Sequence, residues 1–313
     1  MKIKEIYNLA VKLGTEADFR KKEKIKKILE TRKNKFKKLE EKDKKYFDKE
    51  SLENPYSDTR ILNTSKDKEI KKILVGIDIE VADLLLAKEI KADLVISHHP
   101  LGNALAGLSE VMELQADVLS EYGIPINVAE KLLEPRTSEV FRSLSPRNTQ
   151  RVGDAAKILG VNLMCAHTVC DNLAANFLRE KMERKKFERV EELMEEFEKI
   201  PEYQRAKEQK QGPTLFAGKK ENYCGKIALT EITGGTEGNP KIYEWLAKAG
   251  VGTVIGMHAS EEHRKEAEKN YLNVLIAGHM SSDSLGVNLF LDKLEKRRIK
   301  IIPSSGLIRI SRN

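Results

Sequence analysis

Cysteine is scarce: Cys165, Cys170 and Cys224 are the only three in 313 residues. Three thiols cannot all pair, and their spacing is not that of a zinc finger. A disulfide scaffold and a thiolate zinc site are therefore both disfavoured, and a reducing cytoplasm is the expected compartment. Long apolar runs are also missing. No stretch approaches the ~20 residues a membrane-spanning helix needs. Residues 1–30 are studded with Lys and Glu, unlike a secretory leader. Tryptophan occurs once, and aromatic residues make up 6% of the chain.

Charge is plentiful but uneven. Residues 1–50 hold 18 Lys+Arg against 10 Asp+Glu, whereas the remainder holds 38 against 39. The net charge of +7 thus belongs to one amino-terminal segment, and the body is close to neutral. Its acidic residues are interspersed with the basic ones. Phe19, Phe36, Tyr46 and Phe47 suit a packed stripe as well as base stacking. The segment is expected to be an oligomerisation or docking element, with a nucleic-acid-binding arm as the alternative.

Apolar periodicity predicts helices over residues 2–13 and 17–50, then a turn-rich linker over 51–68. After Lys72 short apolar strands alternate with amphipathic helices. Strands are expected at 73–77, 93–97, 124–128, 161–166, 225–231, 251–256, 272–277 and 299–302. Helices are expected at 80–91, 108–122, 150–159, 173–199, 240–249, 260–270 and 285–297. Alternation of this kind indicates an α/β fold with mixed or largely parallel sheets. The expected organisation is a basic helical extension and linker (1–68), an α/β unit (69–200), a polar insertion (201–224) and a second α/β unit (225–313).

Six histidines carry the chemistry. Two are adjacent in Ser97-His98-His99-Pro100. Two others open the pattern His-x-x-x-Asp: His167 with Asp171, and His279 with Asp283. Each cluster follows the end of an expected strand, where open α/β sheets place their ligand crevices. Imidazole with carboxylate suits Zn, Fe, Mn or Co. Adjacent histidines on extended backbone point to opposite sides, which makes them natural ligands for two neighbouring ions rather than one. The competing explanations are a turn for the His-His pair and a cap or surface pair for each His-x-x-x-Asp.

The string Ala92-Asp93-Leu94-Val95-Ile96-Ser97-His98-His99-Pro100-Leu101 resembles the hallmark of the Nif-three-like family, also called GTP cyclohydrolase I type two homologues. His167-Thr168-Val169-Cys170-Asp171-Asn172 resembles that family's second motif. Ala277-Gly278-His279 through Asp283 and Gly286 resembles its third. The resemblance implies metal ligands at His98, His99, Asp171, His279 and Asp283, and two divalent ions per chain. It also implies a two-lobed, three-layer α/β/α fold and a ring-shaped homohexamer with the metal pairs facing an internal cavity. Three departures stand out. Asp283 replaces the family's usual Glu, residues 130–152 look inserted, and the family's amino-terminal Asp-Asn-x-Gly signature is missing.

The expected function is a dinuclear metal-dependent hydrolase that attacks a nucleotide or phosphoester through a metal-bridged hydroxide. The alternative is a non-enzymatic metal-handling or regulatory protein. His167, if not a ligand, would orient Asp171 or serve as a general acid. The glycine-rich turn at residues 233–239 opens a helix and suits either a phosphate or an ordinary connection. His258 is read as part of a helix-capping cluster or, lying just past a strand, as a pocket residue.

Overall fold

The structure, a computed structural model, describes residues 1–313. The chain opens with α1 (Ile3–Glu16), α2 (Lys22–Lys38), α3 (Glu41–Lys44) and a 3-10 turn at Lys49–Leu52. Strand β1 (Arg60–Asn63) follows, then β2 (Lys72–Gly76), α4 (Val81–Glu89) and β3 (Leu94–Ser97). A helical stretch comes next: α5 (Gly102–Ala106), α6 (Leu108–Val111), α7 (Glu113–Glu121), α8 (Ile126–Leu144) and α9 (Arg151–Leu159). Strand β4 (Leu163–Cys165) leads into α10 (Thr168–Glu183), α11 (Val190–Glu198) and α12 (Pro201–Glu208). The remainder is β5 (Thr214–Ala217), β6 (Lys226–Glu231), α13 (Ile242–Lys248), β7 (Val251–Gly256), α14 (Glu261–Lys269), β8 (Asn273–Ile276), α15 (His279–Glu295) and β9 (Lys300–Ser304).

These strands form two sheets, ordered β1-β4-β3-β2-β9 and β5-β8-β7-β6. All pairings within them are parallel except β1 with β4 and β5 with β8. Each lobe is therefore a parallel sheet closed on one side by an antiparallel edge strand, packed with helices in a two-lobed α/β/α arrangement. The inner strands are apolar because both faces are covered. Ile73, Leu74, Val75, Leu94, Val95 and Ile96 are all buried. Strand β9 returns from the carboxy terminus to pair with β2, so the first sheet is completed by the chain's end.

The structure corrects several sequence expectations. Residues 51–68 are not a linker: they supply β1, and Asn54, Tyr56, Asp58 and Thr59 are buried. The Asn54 amide donates to the Tyr7 hydroxyl and to the Tyr56 and Thr59 carbonyls, which pins this turn-rich stretch inside the protein. Residues 201–224 are likewise not irregular. Pro201 begins α12 rather than only ending what precedes it, as its fixed φ permits, and β5 follows. The apolar run at 124–128 is the start of helix α8, not a strand. Ala129, Leu133, Val140 and Leu144 bury one helical face that five residues could not reveal. The helix expected over 173–199 is split into α10 and α11, and α15 begins at His279, six residues earlier than its apolar stripe indicates.

Helix α1 is part of the main core, where Ile3, Ile6, Tyr7 and Ala10 are buried. Helix α2 is different: only Ile25 is buried, and its lysines face solvent. No helix is long and apolar enough to cross a membrane. One contact sets the geometry of the site. At Gly286 on α15, a Cβ would lie 2.2 Å from the Cys170 carbonyl oxygen on α10. Only glycine lets these helices approach so closely, within one turn of both Asp171 and Asp283.

Candidate metal centre

The crevice lies where the carboxyl ends of strands from both sheets meet. His98 and His99 follow β3, His167 precedes α10 just past β4, and His279 opens α15 just past β8. Asp171 and Asp283 sit one turn into α10 and α15, so each His-x-x-x-Asp pair shares one helical face. All six sequence-derived site residues come together here. His98 Nε2 lies 3.3 Å from Asp171 Oδ1 and 3.5 Å from Asp283 Oδ1. His99 Nε2 and His279 Nε2 lie 3.3 and 3.4 Å from Asp283 Oδ2. His167 Nε2 is 3.7 Å from Asp171 Oδ2.

The donors fall into groups with spacing suited to a metal: His98, Asp171 and Asp283; His99, His279 and Asp283; and His98, His99 and His167. Asp283 is common to the first two. Three rings are oriented from behind. His98 Nδ1 donates to the Ala166 carbonyl (3.1 Å), His99 Nδ1 to Asp78 Oδ1 (2.7 Å) and His167 Nδ1 to Asp58 Oδ2 (2.7 Å). A carbonyl or carboxylate partner requires the proton on Nδ1, which leaves Nε2 facing the crevice.

Burial tests whether the donors fit a cation. His98, Asp171 and Asp283 are 1%, 3% and 1% exposed, so neither solvent nor a Lys or Arg neutralises the carboxylates. His98 Nε2, Asp171 Oδ1 and Asp283 Oδ2 are buried without a hydrogen-bond partner. Orphaned buried donors converging on one point are costly unless something fills it. Their nitrogen and oxygen chemistry suits a divalent ion.

In the metal-free protein, protons compensate in part. Burial alone would raise the Asp283 carboxyl, but His98, His99 and His279 hold it far below the carboxylate range. Burial opposes charge on His98, yet Asp283 and Asp171 raise it well above the ordinary value. His99 is pushed up to about 9 despite burial, by Asp283 and Asp78. His279 moves the other way, lowered chiefly by burial.

Sequence reasoning missed Asp58 and Asp78. Asp78 follows β2 as His98 follows β3, so its strand-end position was an available signal. Asp58 had none, since it lies in the stretch expected to be a linker. It is fully buried and accepts from both His167 Nδ1 and the Thr168 hydroxyl (2.6 Å). Burial works against its charge, but His167 and Thr168 prevail and hold its carboxyl below the ordinary value.

Glu231, at the end of β6, lines the same crevice. Its carboxylate accepts from the Gly238 N–H (3.2 Å) and the Tyr243 hydroxyl (3.3 Å). Burial pushes it from 4.5 up to about 7. A carboxyl raised in the folded state contributes stability that is fully present below its unfolded value and is lost as pH rises through the folded one. Glu231→Gln is therefore expected to match the wild type at pH 5 and exceed it at pH 8 by about 1–3 kcal/mol. Thermal melts at the two pH values check this, and equal melting of both proteins at pH 8 would refute it.

The fold and site together describe a two-lobed α/β protein with a buried His/Asp centre between its sheets. Its sequence matches no family model and no curated protein. Among solved structures it is similar to a NIF3 superfamily protein from Sphaerobacter thermophilus. The TM-score is 0.78 at 22% identity, over 98% of this chain and 99% of that one. It is also similar to reduced HcgD from Methanocaldococcus jannaschii, with TM-score 0.50 at 18% identity, over 76% of this chain and 84% of that one. The chain thus shares the fold of the Sphaerobacter protein along nearly its whole length.

Proposed function

We propose that this chain is a divergent Nif-three-like protein that holds two divalent metal ions and hydrolyses a phosphoester or nucleotide. The observation that carries the reading is the set of orphaned buried donors, His98 Nε2, Asp171 Oδ1 and Asp283 Oδ2. His98 and Asp171 would hold one ion, His99 and His279 the other, with Asp283 shared. Two such ions supply Lewis acidity and a water-derived nucleophile at neutral pH.

The chain's residues do the rest. Asp78, Asp58 and the Ala166 carbonyl fix three rings, so the donors are set before binding. The packing of α10 on α15 keeps Asp171 and Asp283 at a constant separation. His167 keeps Nε2 beside Asp171 Oδ2, placed to hold that carboxylate or to pass a proton to a leaving oxygen.

A second reading, a metal-handling protein without turnover, is favoured by the small free space in the crevice, about 20 Å³. The family resemblance also implies a homohexamer, for which light scattering is the test.

The deciding experiment reconstitutes the protein with Zn, Fe, Mn or Co, measures metal per chain, and screens phosphoesters and nucleotides. About two ions per chain are expected, with turnover lost in Asp171→Ala. Metal without turnover on any substrate would favour the second reading. Less than about one ion per chain, unchanged by His98→Ala, would overturn both.

A further inference from the structure

His258 stands on the crevice wall without belonging to any of the donor groups. It follows β7 as His279 follows β8, and its ring meets the His279 ring edge-on at 5.0 Å. Its Nδ1 is 3.2 Å from Glu237 Oε2. Glu237 is itself firmly held. The Thr236 hydroxyl donates to Oε2 (2.6 Å), Arg136 Nη2 donates to Oε1 (2.7 Å), and Arg136 Nε donates to the Glu237 carbonyl (3.2 Å).

Arg136 comes from α8, the segment that looks inserted, and reaches across to the turn after β6. From α7, the buried Gln115 amide donates to the Gly234 and Thr236 carbonyls (3.0 and 2.5 Å). The glycine-rich turn is thus clamped by side chains from α7 and α8, which pack against the second sheet. Arg136, Glu237 and His258 form one chain of contacts that ends at the crevice.

We infer that His258 is a substrate-contacting residue whose Nε2 meets a phosphoryl oxygen, with Glu237 and Arg136 as its positioning residues. The inference rests on the metal-dependent phosphoester reading above. Of the three imidazoles on this wall, His167 and His279 belong to the donor groups, which leaves His258 as the one free to meet a substrate. With Nδ1 held 3.2 Å from the Glu237 carboxylate, the ring keeps Nε2 available to a phosphoryl oxygen in the crevice.

The test uses the metal-reconstituted full chain and inorganic phosphate as the probe, with binding read by calorimetry. His258→Asn is expected to weaken phosphate binding roughly tenfold, the loss of one charge-assisted hydrogen bond, with metal content unchanged. On a phosphomonoester from the screen, KM should rise more than kcat falls. Glu237→Gln should shift phosphate affinity in the same direction by less, without lowering the melting temperature. Wild-type phosphate affinity in metal-loaded His258→Asn would overturn the inference while leaving the metal reading intact. Loss of metal in that variant would also overturn it, by making His258 a ligand. A wild type that takes up no metal would defeat the underlying reading and this inference with it.

Discussion

Asp283→Ala is expected to leave the chain almost free of metal after reconstitution and dialysis. Asp283 lies between His98, His99 and His279, within 3.3 to 3.5 Å of all three Nε2 atoms. Without it each proposed ion keeps two protein donors, too few to compete with water. Affinity should fall by more than about 100-fold, beyond the 10–100-fold typical of losing a group behind a ligand. Elemental analysis reads the outcome directly. The thermal stabilisation that added metal gives the wild type, ~4 kcal/mol at a thousand times Kd, should vanish in the variant. A full complement of metal in Asp283→Ala would place the ions elsewhere.

Proton release gives an independent check on the same centre. His99 in the metal-free protein is raised to about 9, so at neutral pH it holds a proton that metal must displace. Uptake in weakly buffered solution at pH 7 should acidify the medium, and affinity should fall as pH is lowered. Asp283→Glu, which restores the residue usual in the resembled family, is expected to retain metal.

Asp58→Ala should be the most destabilising single change outside the ligand set, at about 2–4 kcal/mol, because it leaves two buried donors without the carboxylate that accepts from both. The His167 Nδ1–H and the Thr168 hydroxyl would each lose a partner at 2.7 and 2.6 Å with no solvent to replace it. Asp58→Asn keeps one acceptor oxygen and should cost less, about 1–2 kcal/mol. Urea denaturation measures both. Nitrogen NMR of His167 should show the proton on Nδ1 in the wild type and a mixed tautomer in Asp58→Ala. A loss below about 0.5 kcal/mol, with the tautomer unchanged, would remove Asp58 from its role.

The inner strands and most helices were legible because two-sided burial writes long apolar runs, as in Ile73–Val75 and Leu94–Ile96. The edge strands β1 and β5 were not. Arg60–Asn63 and Thr214–Ala217 are short and partly exposed, whereas the other two edge strands, β6 and β9, keep apolar runs of their own. The six clustered residues were legible because the strand-end rule and the His-x-x-x-Asp spacing coincide. The groups behind them were not, since a carboxylate that orients a ring from 109 positions away leaves no local spacing. His258 was visible as a strand-end histidine, but its tie to Glu237 and Arg136 depends on how α8 packs beside the turn after β6.

The placement of β9 beside β2 has a consequence for biosynthesis. The two strands pair in register, Lys72 with Lys300, although roughly 230 residues separate them. At ~5–20 residues per second, a ribosome exposes β2 for about 10–50 s before its neighbour exists. Throughout that interval the nascent first lobe carries an open parallel edge, the kind of surface that recruits other chains. Helix α15, with His279 and Asp283, emerges only shortly before β9. Any product cut short before it would have both an unpaired edge and no centre. A nascent chain stalled before residue 279 would lack part of the proposed centre and should be a target for chaperones rather than a holder of metal.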